Sequence, residues 1–443
     1  MIKKFAVLLT AGIFFLTPPT AAQATGHFSD EPTVNEPFVD DEVQPLTEEE
    51  YRRIFGDDNV EPPPPVKPEP PPVEDDRPLT EEEFRRIFGD GSDEPTPPPV
   101  EPINPPPVIE TPTVDDGEGL EFLMYNQNGM MAFAIIADHE KYQLKPVLAR
   151  GQIYGRATVS QMNAPDAIAT INASYFAANG TLYGNTRIDG ITAGTTYYIR
   201  SAIGIRADGS TIFGRQGYRG VLQFNGNEVV ISGVNSDRTA NSVIVYNFLY
   251  GVTTGTNNSG LELVVDNGEV VNISRGKGDS YIPPNGFVVS AHGTAIEQFN
   301  SVSVGDRIIF DEDFINVENG ADFNEALHIL GAGPTLIKRG EVFVTADAEQ
   351  FPPDIRVGRA PRSAVGVTKY GDYIFAVVDG RQAHSKGCTL DEWARILKFF
   401  GAVEAINLDG GGSTELIFKG SLVNKPSDGK ERPVGDALTI VRR

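Results

Sequence analysis

Cysteine is nearly missing from this chain. Cys388 is the only one in 443 residues, so no intramolecular disulfide can form and stability must come from an ordinary apolar core. A lone thiol beside Gly387 reads as a small buried filler rather than a nucleophile. Basic charge is also scarce: the formal net charge is −24. Non-specific nucleic-acid binding needs a basic surface, so no nucleic-acid partner is expected. Beyond the first residues no apolar run is long enough to cross a bilayer, which argues against a transmembrane segment in the mature protein.

What is present begins with an export pattern. Lys3 and Lys4 precede an apolar run from Phe5 to Leu16, and Ala22-Gln23-Ala24 forms a small-residue cleavage site. Residues 1–24 are therefore expected to be a signal peptide. No Cys follows the run to take a lipid. The mature chain is expected to be periplasmic or extracellular.

The acidity is concentrated in one stretch. Residues 26–119 carry 27 Asp/Glu against 6 Lys/Arg and hold 21 of the 33 prolines. With no sustained apolar period, residues 25–119 read as a disordered, extended, proline-rich acidic linker. Inside it a segment recurs: 45–57 and 78–90 differ only in Tyr51 against Phe84. Each copy has a Thr (Thr47, Thr80) followed three residues later by Glu (Glu50, Glu83), the pattern of a capped helix start. Tyr51, Ile54 and Phe55, like Phe84, Ile87 and Phe88, would line one face of a helix of about two turns, marginal by itself. These repeats are expected to dock a protein partner; a peptide of residues 45–57 competing with the whole chain would test this.

From Leu120 the composition becomes globular. Alternating or continuous apolar runs predict strands at Met131–Ala137, Tyr142–Ala149, Ala167–Ile171, Ser201–Ile205, Leu261–Val265, Phe287–Ser290, Arg307–Phe310, Tyr373–Val378 and Ala437–Val441. Residues Thr389–Phe400 predict the clearest helix, with Thr389 and Glu392 as a capping box and Trp393, Ile396, Leu397 and Phe400 on one face. The expected class is α+β: one globular domain, 120–443, rich in mixed β-sheet with a few helices.

The densest chemistry lies at Val403–Leu416. An apolar strand runs into Asn407, Asp409, Gly410, Gly411, Gly412, Ser413 and Thr414. Successive glycines let a backbone approach a ligand closely, and consecutive amides can cup an anion. A plain glycine hairpin is the bland alternative. A nucleotide P-loop is excluded because no Gly-Lys-Ser/Thr follows.

Several short pieces occur in a fixed order. They are Ile171-Asn172-Ala173-Ser174-Tyr175-Phe176, Arg200-Ser201-Ala202-Ile203-Gly204, Gly333-Pro334-Thr335-Leu336, Pro361-Arg362-Ser363-Ala364-Val365-Gly366, Asp379-Gly380-Arg381, Asn407 to Thr414, and Asn424 with Arg432-Pro433. No single piece is specific, but the ordered set resembles the phosphodiester glycosidase family over nearly all of 120–443. Two positions depart from it: Ala173-Ser174 stand where a glycine is usual after Asn172, and Ser363 replaces a usual Thr. The resemblance implies hydrolysis of a sugar-1-phosphodiester, with Arg362, Arg381 and Arg432 as phosphate ligands and Asp379 and Asp409 as catalytic carboxylates. His384 would serve as a proton donor to the leaving phosphate. Asn172 and Asn407 would bind sugar hydroxyls or orient the carboxylates, and Gly410, Gly411, Gly412, Ser413 and Thr414 would contact substrate. No cofactor is expected; a divalent ion between the carboxylates is the alternative, although no tight metal-ligand spacing is present. A carbohydrate phosphodiester is the expected small-molecule partner. The other class of function open at this point is a non-catalytic glycan-phosphate binding module.

Overall fold

A computed structural model of the chain describes residues 118–196, 198–318 and 322–443. The signal pattern, most of the linker and both repeats lie outside the described residues. Among those described, strands dominate and helices are few and short.

One sheet organises the rest. Its seven strands run in the order Leu120–Gln127, Met130–Ala137, Tyr373–Val378, Arg362–Thr368, Ala402–Asn407, Thr335–Lys338 and Glu341–Val342, every neighbouring pair antiparallel. Alternation along these strands sends two sets of side chains to opposite faces. Phe133, Ile135, Val365, Phe375, Val377 and Ile406 point one way and share a core with Leu144, Ile171, Leu438 and Ile440. Those partners belong to a five-stranded antiparallel sheet in the order Ser421–Leu422, Leu416–Phe418, Ala167–Asn172, Asp436–Arg442 and Tyr142–Leu148. The two sheets thus form a sandwich.

The opposite face of the seven-stranded sheet carries Ala132, Ala134, Ala364, Ile374 and Ala376, small enough for a helix to lie close. The helix Leu390–Phe399 covers it with Trp393, Ala394, Ile396 and Leu397, all buried. Thr389 and Glu392 form the expected capping box, and Gly401, at φ 90°, ends the helix. Each such Leu or Ile, fully buried, contributes about 1.5–3 kcal/mol. Cys388 is buried in the same layer, and burial pushes its thiol well up, so it is held neutral.

A second pair of sheets makes up the middle of the chain. One includes Arg200–Ile205, Thr211–Phe224 and Ile309–Asn316; the other, Val243–Tyr246, Gly286–Ala291, Leu261–Asp266 and Glu269–Arg275. Gly233–Val234 beside Val243–Tyr246 is the one parallel pair among the described strands. The 14-residue strand Thr211–Phe224 was not expected from sequence. Gly214, Gly217 and Gly220 interrupt its apolar pattern. In the structure Gly220 lets Tyr218 and Ile231 close over the strand, since a Cβ there would lie 2.6 Å from the Tyr218 hydroxyl and 2.8 Å from the Ile231 side chain. The strand expected at Arg307–Phe310 instead runs Ile309–Asn316, because Arg307 and Ile308 are used by the turn that pairs with Gly268 and Glu269.

Glu349 ties this middle region to the sandwich. Its carboxylate is buried and accepts the Ser201 amide at 2.8 Å, the Ser201 hydroxyl at 2.6 Å, the Thr335 amide at 3.0 Å and the Thr345 hydroxyl. Burial pushes this carboxyl up, while those four donors pull it back down.

Candidate active site

The antiparallel order brings the chemistry-bearing residues to one end of the sandwich. Arg362 opens its strand opposite Val378, the last residue before Asp379; Ala364 pairs with Asn407, two residues before Asp409. In the facing sheet Asn172 ends one strand beside Ala437, next to Asp436. The loops leaving these strand ends surround a cleft of about 190 Å³ lined by Arg362, Arg381, Arg432, Asp409 and the three glycines, together with Tyr175, Asp354, Ile355 and Ala360.

Asp409 is half-buried, and its own loop holds it. Its amide donates to Ala173 O at 2.9 Å, its carbonyl accepts the Asn172 side-chain amide at 2.7 Å, and its Oδ1 accepts the Gly410 amide at 2.9 Å. Burial is the main influence on its carboxyl, pushing it up to about 6 against the opposing pull of Ser413, the Gly410 amide and Arg432. It therefore changes charge within the working range of an enzyme.

The three arginines are held in three different ways. Arg362 is only 3 % exposed, and its guanidinium donates to backbone carbonyls alone: Ile355 at 3.1 Å, Gly358 at 2.6 Å and Cys388 at 3.4 Å. No carboxylate forms an ion pair with it among the described residues. Burial, the largest influence, pulls its pKa down, and the like charge of Arg381 adds to that. Arg381 sits exposed in a left-handed turn at φ 58°, with its guanidinium over the glycine loop. Arg432 is already paired: its Nε and Nη2 donate to Asp428 Oδ2 at 2.9 and 2.6 Å.

The glycine loop does not offer a row of three open amides. The Gly410 amide is bound to Asp409 and the Gly411 amide to Pro361 O at 2.9 Å. The glycines instead admit the arginines. A Cβ on Gly411 would lie 3.3 Å from Arg381 Nη1, and its φ of 63° also favours glycine. A Cβ on Gly412 would lie 2.0 Å from Arg432 Nη2 and 2.3 Å from Asp428 Oδ2. Gly412→Ala should thus displace the Arg432–Asp428 pair and weaken inorganic phosphate binding by about tenfold, the equivalent of roughly one charge-assisted hydrogen bond. Calorimetry checks this; unchanged affinity would mean that Arg432 does not serve the cleft.

The remaining expected residues lie outside the cleft lining. Asp379 is buried, its Oδ2 2.8 Å from His384 Nε2, while its Oδ1 accepts the Lys425 amide at 2.9 Å and the Asn424 side chain at 3.2 Å. Asp379 and His384 thus form a pair that braces the loops around Arg381 and Asn424. Asn172 is fully buried, and its Oδ1 accepts Ser363 Oγ at 2.7 Å and the Glu415 amide at 3.2 Å, so it ties both ends of the glycine loop to the sandwich. The Ser363 hydroxyl is used here, and Ala173-Ser174 have defined tasks: Ala173 O receives Asp409, and Ser174 donates its amide and hydroxyl to Asp436, both at 2.8 Å. Asn407 donates to the Tyr175 hydroxyl at 2.9 Å. Ser413 and Thr414 are buried beneath the loop. Among the described residues, Asp379 and Asp409 do not gather with other ligands into a metal-sized cluster. The group that does, Asp138, His139 and Asp372, lies at turns elsewhere, with Asp138 engaged by Lys141 and the Glu140 amide.

Tyr175, Asp354, Ile355 and Ala360 were missed as lining residues. Tyr175 lies in a motif read from the sequence, but nothing in its spacing marked its hydroxyl. Asp354 and Ile355 sit in the four-residue helix Pro353–Arg356, too short to leave a pattern.

Residues 259–441 match the family model described as phosphodiester glycosidase. The chain is 40% identical over 80 residues to an uncharacterized SPbeta prophage-derived protein of Bacillus subtilis, covering 18% of this chain and 12% of that one. It is 33% identical over 115 residues to the mouse N-acetylglucosamine-1-phosphodiester alpha-N-acetylglucosaminidase, covering 24% of this chain and 22% of that protein. These matches thus span less than a quarter of either relative. In fold, the chain is similar to a hypothetical protein from Synechocystis, with TM-score 0.66, 24% identity, and coverage of 76% of this chain and 64% of the other. It is also similar to a Burkholderia pseudomallei protein described as exported, with TM-score 0.60, 23% identity, and coverage of 70% and 74%. Among the described residues no helix is long and apolar enough to cross a membrane. Over residues 259–441, this chain is similar to the phosphodiester glycosidase family.

Proposed function

We propose that the chain is an exported hydrolase that cleaves the glycosidic bond of a sugar-1-phosphodiester in a glycan or surface polymer. The observation that carries this reading is Arg362: a buried guanidinium with only carbonyl partners, facing the same cleft as Asp409. A buried cation without a counter-charge is costly, and a bound phosphodiester would supply one. Arg381, across the glycine loop, would add a second contact suited to phosphate oxygens.

Asp409 would face the anomeric carbon. The C1–O bond breaks, its electron pair leaves with the phosphate monoester, and Asp409 as carboxylate stabilises the oxocarbenium-like centre. Water adds its oxygen to C1 and loses a proton, giving free sugar. Phosphate leaves readily, so the chemistry makes little demand on a strong general acid, in keeping with His384 being engaged with Asp379. Asp409 must be ionised to act, and its carboxyl is pushed up to about 6. Turnover should therefore fall as pH drops through about 6, with kcat/KM following a single protonation. A sugar-1-phosphodiester assay from pH 4 to 8 checks this, and a rate that rises toward acid would assign Asp409 the role of proton donor.

A further inference from the structure

Arg200 opens the strand Arg200–Ile205, directly before Ser201, which Glu349 anchors. Its guanidinium carbon lies 4.1 Å from the centre of the Phe351 ring and 4.7 Å from that of Tyr198. Stacking of this kind fixes the guanidinium plane but leaves its N–H groups, which radiate in that plane, unused. No hydrogen bond or ion pair takes them up among the described residues, and Nε is buried without a partner. Buried donors left unmet are uncommon and call for a reason.

Arg200 is not itself among the residues lining the cleft described above, but it stands against their neighbours. Phe351 directly precedes Pro352 and the short helix carrying Asp354 and Ile355, two lining residues. Its ring packs 5.5 Å from that of Tyr175, which also lines the cleft. Burial and the charge of Asp409 push the Tyr175 hydroxyl up, and the charges of Arg362 and Arg200 both act against that.

We propose that Arg200 is a second anion-recognition point of the cleft, taking a further oxyanion of the substrate, a carboxylate or a second phosphoryl group, beside the phosphodiester. This rests on the reading of the cleft as a phosphodiester site and narrows its substrate class to glycosyl phosphates with an additional negative group. A stacked guanidinium with its edge free suits a bidentate oxyanion, whereas a neutral sugar hydroxyl would leave its charge unmatched.

The test is calorimetric binding to the full chain of inorganic phosphate, pyrophosphate, glucose 1-phosphate and glucuronic acid 1-phosphate. The native protein should prefer pyrophosphate over phosphate, or the glucuronic over the glucose ester, by about tenfold, the equivalent of one charge-assisted contact; whichever pair shows it identifies the second group. Arg200→Gln should reduce that preference to near unity, and Arg200→Lys should keep part of it. Thermal melting reports whether the Gln variant folds; if it does not, the Lys variant carries the comparison, and a fully native preference there would overturn the bidentate contact. A preference unchanged in a folded Arg200→Gln would overturn the assignment while leaving the phosphodiester site standing. Failure of the native protein to bind any of the four anions would overturn both.

Discussion

Asp409→Asn is expected to lower turnover of a sugar-1-phosphodiester by about 10³-fold, the scale on which a positioned carboxylate contributes, while the protein folds as before. The amide keeps the shape and one acceptor for the Gly410 amide, and the backbone bonds to Ala173 and Asn172 do not involve the side chain. What is lost is the charge that matches the developing positive centre. The sign of the stability effect follows from the same carboxyl. Its folded pKa, about 6, lies above its ordinary value of 3.8, so its contribution to stability is full below about pH 4 and is lost as pH rises through 6. At neutral pH the asparagine variant should accordingly melt no lower than the native chain. Native rates in a variant with unchanged melting would remove Asp409 from the mechanism.

Arg381→Lys should raise KM for a phosphodiester by about 10- to 100-fold, the loss of one charge-assisted hydrogen bond of about 1.5–3 kcal/mol. Lysine keeps the charge but cannot present two parallel donors to a phosphate. The side chain is exposed above Gly411, and among the described residues it has no ion-pair partner, so the fold has little stake in it. Binding of the free sugar should change little. If phosphodiester and free sugar weaken alike, Arg381 shapes the loop and does not read the phosphate.

Much of the sandwich was legible because its strands obey simple periodicities. Tyr373–Val378 is a continuous apolar run bounded by turn residues, and it is buried on both faces. The helix Leu390–Phe399 shows both its cap and its stripe. The glycine-interrupted strand Thr211–Phe224 was not legible: its glycines break the apolar pattern, and the close approach of neighbours that Gly220 serves shows only in the assembled fold. At the site, Asp379 and Asp409 each follow an apolar strand readable in the sequence, and the strand pairing puts those ends on one side of the sheet. Which way each side chain turns was not readable. Asp379 is sequestered by His384, Asn424 and Lys425 while Asp409 lines the cleft. Likewise Arg432 and Arg362 look alike in sequence, and only the structure shows Asp428 holding the first.

The most direct measurement of the central claim is hydrolysis of a sugar-1-phosphodiester in 18O-labelled water, with both products analysed. The account predicts turnover, with the heavy oxygen in the sugar and none in the phosphate monoester, because the C1–O bond is the one that breaks. Label in the phosphate, or tight binding with no turnover by the native chain, would contradict it; the latter would leave a glycan-phosphate binding module.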